Sequence, residues 1–201
     1  MTAGKFIVIE GLDGSGKTTQ VNFLASALKR KGKEVIVTFE PTEGKIGQLI
    51  DYYLKKKVAL PPASLQLLFV ADRLAHVQSL IEPALKEGKI VISDRFSWST
   101  VAYGSISGLD SRWLLSLHRY CLTPDLFIFL KVKPEVCLRR ISKRGELKEL
   151  FEKKEKLRRA EAAYDFLRQS FVEKTILVNG ERTPQAIAKE IEEKVFNHFG
   201  F

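Results

Sequence analysis

The chain has 201 residues, 45% of them apolar and 28% charged, with a net charge of +9. Those proportions are ordinary for a soluble globular protein, and the length suits one α/β domain over residues 1–201 with a substantial core. No run of about 18 apolar residues reads as a membrane span, and the amino terminus leaves no room for a signal peptide before the first strand, so a cytoplasmic protein is expected.

The first apolar, β-branched run, Phe6–Ile9, is expected as a buried strand. It leads into Gly11-Leu12-Asp13-Gly14-Ser15-Gly16-Lys17-Thr18, which matches the phosphate-cradling pattern G-x-x-x-x-G-K-[ST]. A helix over Lys17–Lys31 follows, with apolar positions 21, 24, 25 and 28 on one face. A strand, a glycine-rich turn and a helix in this register let backbone N–H groups and a helix N-terminus close around a phosphate. In such a loop Lys17 reaches the outer phosphates of a nucleoside triphosphate, and the Thr18 hydroxyl holds Mg²⁺.

A second strand, Val35–Phe39, ends in Glu40-Pro41-Thr42, and a helix over Ile46–Lys57 follows. The next helical stretch, Ala63–Glu87, is long, and Pro83 should bend or break it. Within it Phe69 and Arg73 are four residues apart and share a face. A flat ring beside a forked donor can stack on a base and hydrogen-bond its edge. On spacing alone the pair also reads as a core ring beside an arginine whose head reaches solvent, which is the commoner arrangement. The third strand, Ile90–Ser93, ends in Asp94-Arg95-Phe96.

Helices are then expected over Ser97–Ser105 and Ser111–Cys121, a strand over Leu126–Leu130, and helices over Pro134–Arg144 and Leu147–Glu173. A fifth strand, Ile176–Val178, precedes a last helix over Pro184–Phe199, with Thr183 as its N-cap. Strands alternating with helices predict a five-stranded parallel sheet flanked by helices. Ligands in such sheets bind beyond the carboxyl ends of the strands, so the residues just after each apolar run carry the site.

The positive balance admits nucleic acid as a partner. However, Lys29-Arg30-Lys31, Lys55-Lys56-Lys57 and Lys153-Lys154 fall in predicted helices or at their ends, where solvated faces are the usual reason for such runs. No aromatic-rich basic stripe accompanies them. A field that steers polyanionic substrates is the reading adopted, with no nucleic-acid or membrane partner. The two cysteines, Cys121 and Cys137, have no metal-ligand spacing and read as reduced thiols.

Five segments in order, F-I-V-I-E-G-L-D-G-S-G-K-T-T-Q, L-L-F-V-A-D-R, I-S-D-R-F-S-W-S-T-V-A-Y, P-D-L-F-I-F-L-K-V and R-R-I-S-K-R-G-E, resemble the successive motifs of the thymidylate kinase family. The resemblance spans nearly the whole chain. It implies the P-loop nucleoside-monophosphate-kinase fold with a mobile lid, transfer of the ATP γ-phosphoryl group to dTMP, and a homodimer. It also implies roles. Phe69 resembles the ring that stacks on thymine, Arg73 the donor to its exocyclic oxygen, and Arg95 the clamp on the acceptor phosphate. Asp94 resembles the acidic group that supports Mg²⁺ beside Thr18, and Asp13 a carboxylate facing the sugar or a metal-bound water. Thr100 sits where the family reads the thymine edge, and Tyr103 where a ring crowds the sugar 2′ position. On the residues alone, Tyr103 could equally pack in the core, and Asp94-Arg95 could be a local ion pair. A kinase of the same fold acting on another deoxynucleotide, such as dUMP, is the alternative.

The chain departs from the family pattern in two places. Phe39-Glu40-Pro41-Thr42 stands where many members carry Arg or Phe before the proline, which leaves Glu40 and Pro41 as expected acceptor-site residues with an altered contact. Gly14 occupies the P-loop position at which some members carry a catalytic arginine. The lid segment, about 139–155, begins Arg139-Arg140-Ile141-Ser142-Lys143-Arg144-Gly145, and Arg140 and Arg144 are expected to supply that charge instead. A solvated basic helix end is the other reading of the same residues. The Val178-Asn179-Gly180 turn is expected as one wall of the adenine pocket.

Overall fold

β-Branched and aromatic runs place five parallel strands side by side in a computed structural model, which describes residues 4–56, 58–143 and 150–201. The strands are β1 (Lys5–Gly11), β2 (Val35–Phe39), β3 (Ile90–Asp94), β4 (Leu126–Lys131) and β5 (Thr175–Asn179), in the order β2-β3-β1-β4-β5. The three inner strands are buried almost throughout, whereas β2 and β5, at the edges, are half exposed. All five lie where the apolar runs predict them.

Period-two alternation in β1 feeds two cores. Phe6 and Val8 enter one, and Ile7 and Ile9 enter the other. The second core is closed by α1 (Lys17–Arg30) and α9 (Pro184–Phe199), through Val21, Leu24, Leu28, Ile187, Ile191 and Val195. The first is closed by α5 (Ser97–Ile106) and α8 (Leu150–Ser170), with Trp98 stacked on Phe127 at 4.3 Å between ring centroids. Each such fully buried side chain is worth about 1.5–3 kcal/mol.

α2 (Lys45–Lys56) and α3 (Pro62–His76) line one side of a cavity at the carboxyl end of the sheet. α2 packs on α3, which continues through a π-turn (Val77–Ile81) into α4 (Glu82–Lys86). Pro83 therefore does not break the chain's helical path; it sits in the first turn of α4, directly after the π-turn. It lacks an N–H and its ring crowds the carbonyl four residues back; the wider π-turn in front of it makes the room.

α6 (Ser111–Ser116) is shorter than the predicted Ser111–Cys121, and the following turns use i→i+3 bonds. The His118 side chain explains the stop: its Nδ1 bonds the Leu114 carbonyl at 2.9 Å, the acceptor an α-helix would reserve for the His118 N–H. α7 (Pro134–Ser142) leads toward the lid segment, of which residues 144–149, with the predicted site residue Arg144, lie outside the described residues. Thr183 caps α9 as expected, accepting from the Ala186 N–H at 3.3 Å.

The chain crosses β1 on its way from β3 to β4, so β1 is central and its carboxyl end opens at the switch point of the sheet. Strand register sets Asp94 beside Ile9 on one side and Phe39 on the other. Glu10, Glu40 and Asp94 are thereby gathered at one edge.

Candidate active site

Gly11, Gly14 and Gly16 all have positive φ, which lets the loop curl back toward the start of α1. Gly14 is held there by its neighbours as well. A Cβ at that position would lie 2.7 Å from the Cys137 carbonyl of α7, so the arginine seen at this position in some members of the resembling family has no room here. Lys17 is buried, and its Nζ donates to the carbonyls of Gly11 and Leu12 at 3.1 and 2.9 Å. Burial, reinforced by the positive charge of Arg95, lowers its pKa to about 8. Thr18 Oγ1 donates to Asp94 Oδ2 at 2.6 Å, which brings the two predicted metal-site residues into contact.

Arg95 follows β3 with φ +74°, a left-handed conformation uncommon outside glycine. The bonds around it are complete. Its N–H donates to Ile9 O at 3.0 Å, and its carbonyl accepts from Ser93 Oγ at 2.7 Å. The next N–H, of Phe96, donates to Glu10 Oε1 at 2.9 Å. The Arg95 guanidinium pairs with Asp13 and donates to Ser99 Oγ at 2.9 Å. The surrounding cleft favours a neutral Asp13, but Arg95 and Lys17 outweigh it and hold the carboxyl below its ordinary pKa. Tyr103 donates its hydroxyl to Asp13 Oδ2 at 3.1 Å, and burial together with the Asp13 charge keeps the phenol protonated.

Glu10 is fully buried at the end of β1. Its carboxyl accepts from the Phe96 and Ser99 N–H groups, from Ser99 Oγ at 2.8 Å and from the Tyr164 hydroxyl at 3.1 Å. Burial pushes its pKa up; the Arg95 charge and these hydrogen bonds pull it partly back.

Beyond Arg95 opens a cavity of about 660 Å³, a size common for small-ligand sites. Phe69, Arg73, Arg95, Thr100 and Tyr103, predicted from five separate sequence positions, all line it, as do Glu40 and Pro41. Arg73 is 1% exposed and each of its nitrogens is engaged. Nε donates to Glu40 Oε2 at 2.8 Å and Nη2 to Phe96 O at 3.0 Å, while Nη1 faces Thr100 Oγ1 at 3.0 Å and His118 Nε2 at 2.7 Å. The snorkelling alternative is therefore not what the chain adopts.

His118 is the neutral tautomer that this requires. Its Nδ1–H is taken by Leu114 O, which leaves the Nε2 lone pair for Arg73. Burial and the Arg73 charge lower its pKa to about 3. On the other side, His76 Nδ1 donates to Glu40 Oε1 at 3.1 Å, and Asp72 takes both the N–H and the hydroxyl of Thr42 at 2.7 Å. Asp72, Arg73 and His76 of α3 thus tie down the loop after β2, in which Glu40–Pro41 is a cis bond.

Arg140 reaches the P-loop, though not through a charged partner. Nη1 donates to Ser15 O at 3.1 Å and Nη2 to Gly180 O at 2.9 Å, so it bridges the P-loop to the turn after β5.

Glu10, Ser99, Tyr164, His76 and His118 were not singled out by the sequence reading. Glu10 alone left a signal, as a carboxylate closing an apolar strand directly before a P-loop. His118 and Tyr164 sit in stretches with no motif, and their partners lie 45 and 154 residues away.

Compared with known proteins, residues 9–191 match the family model described as thymidylate kinase. The chain is 41% identical over 179 residues to a probable thymidylate kinase of Pyrococcus horikoshii, covering 87% of each chain. It is 39% identical to a probable thymidylate kinase of Thermococcus gammatolerans, covering 94% of each. With a thymidylate kinase of Desulfotalea psychrophila it shares 43% identity, covering 82% of each.

The lowered His118 pKa has a consequence for folding. Between pH 6.5 and about 3 the unfolded chain binds a proton that the folded His118 refuses, so this residue makes stability fall as pH falls through that window. Denaturant titrations at pH 7 and pH 4.5 should therefore show a smaller acid loss for His118→Gln than for the wild type. Equal losses would remove His118 from its place against Arg73.

Proposed function

The chain belongs to the thymidylate kinase family, and we propose that it transfers the γ-phosphoryl group of ATP to the 5′-phosphate of dTMP in a Mg²⁺-dependent, in-line reaction that gives dTDP. The observation that carries this reading is the position of Arg95, which pairs with Asp13 of the triphosphate loop and also lines the large cavity. A cation at that seam faces the phosphates of both nucleotides. The acceptor oxygen is already ionised near neutral pH, so no strong general base is needed. Catalysis then rests on alignment and on neutralising charge.

Gly11 to Thr18 hold the triphosphate, with Lys17 on its outer phosphates. Thr18 and Asp94, a hydroxyl and a carboxylate in contact at the loop edge, are the hard oxygen donors that fit Mg²⁺ shared with the nucleotide. The ion would neutralise charge between the phosphates. Phe69 stacks on the base, and a base carbonyl that reaches Arg73 competes with Thr100 for Nη1. Asp13 and Tyr103 face the sugar. The lid segment, about 139–155, closes over the two nucleotides and excludes water. Arg140 braces the P-loop within it, which leaves Arg144 as our choice for the further charge on the transferring group.

We also assign the chain to the cytoplasm and to a homodimer. Among the described residues no helix is long and apolar enough to cross a membrane. The dimer is supported by an apolar face on the paired helices α2 and α3, where Leu49, Tyr52, Leu67 and Leu74 are 38–52% exposed.

Three measurements test these readings. With ATP and Mg²⁺, an acceptor panel should show dTMP phosphorylated best, dUMP more slowly, and dCMP and thymidine not at all, with Arg95→Ala about 10³-fold slower. Preference for any other acceptor would replace dTMP.

Because burial leaves Lys17 with a pKa of about 8, kcat/KM for ATP should fall as pH rises through that value and the free enzyme loses the proton that phosphate needs. A flat profile to pH 10 would show that Lys17 does not bind the phosphates.

Sedimentation should give twice the 22.8 kDa chain mass for the wild type and a single chain for Leu67→Glu/Leu74→Glu. A monomeric wild type would end the dimer assignment.

A further inference from the structure

One buried polar group in the cavity wall has no part in the roles above. Gln66 lies on α3, one turn before Phe69 and two turns before Arg73, so the three side chains share a face. It lines the 660 Å³ cavity, it is 4% exposed, and its Oε1 has no hydrogen-bond partner among the described residues. The other buried polar atoms without a partner, on Ser15, Gln20, Trp98 and Arg168, belong to residues outside that cavity wall. Its stem is held from the far side by α5. A Cβ at Gly104 would come within 3.2 Å of Gln66 Cγ, so glycine at that position lets the glutamine sit flush against the helix that carries Thr100 and Tyr103. A buried acceptor without a partner is costly, and protein interiors rarely keep one.

A thymine ring presents a carbonyl, an N3–H and a second carbonyl along its edge. Arg73 offers donors only and can serve a carbonyl, never the N3–H. Thr100 Oγ1 already accepts from Arg73 Nη1. Thr100 Oγ1 keeps one lone pair beyond that contact, whereas Gln66 Oε1 has its full accepting capacity free for the N3–H.

We propose that Gln66 is a specificity-determining residue whose Oε1 accepts the N3–H of the thymine base while Phe69 stacks on the ring and Arg73 serves the neighbouring carbonyl. This deepens the reading of the cavity as the dTMP site and rests on it. The set matches a 2,4-dione and opposes cytosine. A cytosine would turn an acceptor nitrogen toward Gln66 Oε1 and an amino group toward Arg73. Turning the amide over would satisfy the ring nitrogen yet leave two donors facing each other at Arg73. Gln66 does not see the 5-methyl group, so it separates thymine from cytosine and not from uracil.

The test uses steady-state kinetics of the full chain with dTMP and with its N3-methyl derivative, which lacks the donor. Gln66→Leu keeps the bulk and removes the acceptor. It should raise KM for dTMP about tenfold, in line with a lost hydrogen bond to a buried group, while KM for ATP and the melting temperature stay near those of the wild type. Gln66→Ala removes the bulk as well, and should shrink the wild-type preference for dTMP over the N3-methyl compound by about tenfold. An unchanged dTMP KM in Gln66→Leu, or a full methyl penalty in Gln66→Ala, would overturn the assignment, as would a fall in melting temperature with no shift in KM. A wild type that does not phosphorylate dTMP would instead overturn the proposed activity, so the two failures are distinct.

Discussion

The site depends on one buried carboxylate. Glu10 ends the central strand with no solvent around it, and its two oxygens receive the Phe96 N–H, both donors of Ser99 and the Tyr164 hydroxyl. Without those donors, burying the group would cost several kcal/mol. With them it joins the P-loop strand, the turn after β3 and the long helix α8. It also accounts for the left-handed backbone of Arg95. A non-glycine residue persists in that conformation only where neighbours over-determine it, and here the groups on both sides of Arg95 are bonded, to Ile9 on one side and to Glu10 on the other. Arg95 is thus positioned by a carboxylate that its guanidinium does not itself contact by hydrogen bond.

A second buried charge network does the same for the cavity wall. The Arg73–Glu40 pair has side chains that are 1% and 3% exposed. A pair so buried is weak support for stability, because desolvation offsets the attraction, but removing either partner typically costs about 3–5 kcal/mol. His76, His118, Thr100 and the Phe96 carbonyl complete its hydrogen bonds. What the network provides is a fixed guanidinium plane in the cavity wall. Phe96 belongs to both networks, its N–H on Glu10 and its carbonyl on Arg73, so the two halves of the site share one residue.

Contiguous features were legible in the sequence, and assembled ones were not. The five strands follow from short β-branched runs, and the P-loop from eight consecutive residues whose geometry is local. Phe69 and Arg73 could be placed on one face by spacing alone. That this face would meet Thr100 and Tyr103 in one cavity depends on how α3 packs against α5, which no local pattern encodes. His118 escaped notice because its meaning comes from two partners, Leu114 and Arg73, one of them 45 residues away. Pro83 was legible as a disturbance, but the π-turn that absorbs it was not. Gly14 was noted for the arginine it lacks; only the closeness of the Cys137 carbonyl shows that the loop has no room for one.

The cations of the site share a further property. Lys17 holds the Gly11 and Leu12 carbonyls, Arg95 holds Asp13, Arg140 holds Ser15 and Gly180, and Arg73 holds Glu40. Each is ordered by a protein oxygen, so little side-chain freedom is left to lose when a ligand oxygen takes over that place. Burial penalises the charge on Lys17, and repulsion from Arg95 adds to it. A polyanion relieves both terms at once, since it supplies the counter-charge that neutral carbonyls cannot. Cations crowded and fixed in this way favour the ligand with the highest charge density. On the proposed activity, that is the physical basis on which Lys17 and Arg95 would draw phosphate groups to the end of the central strand.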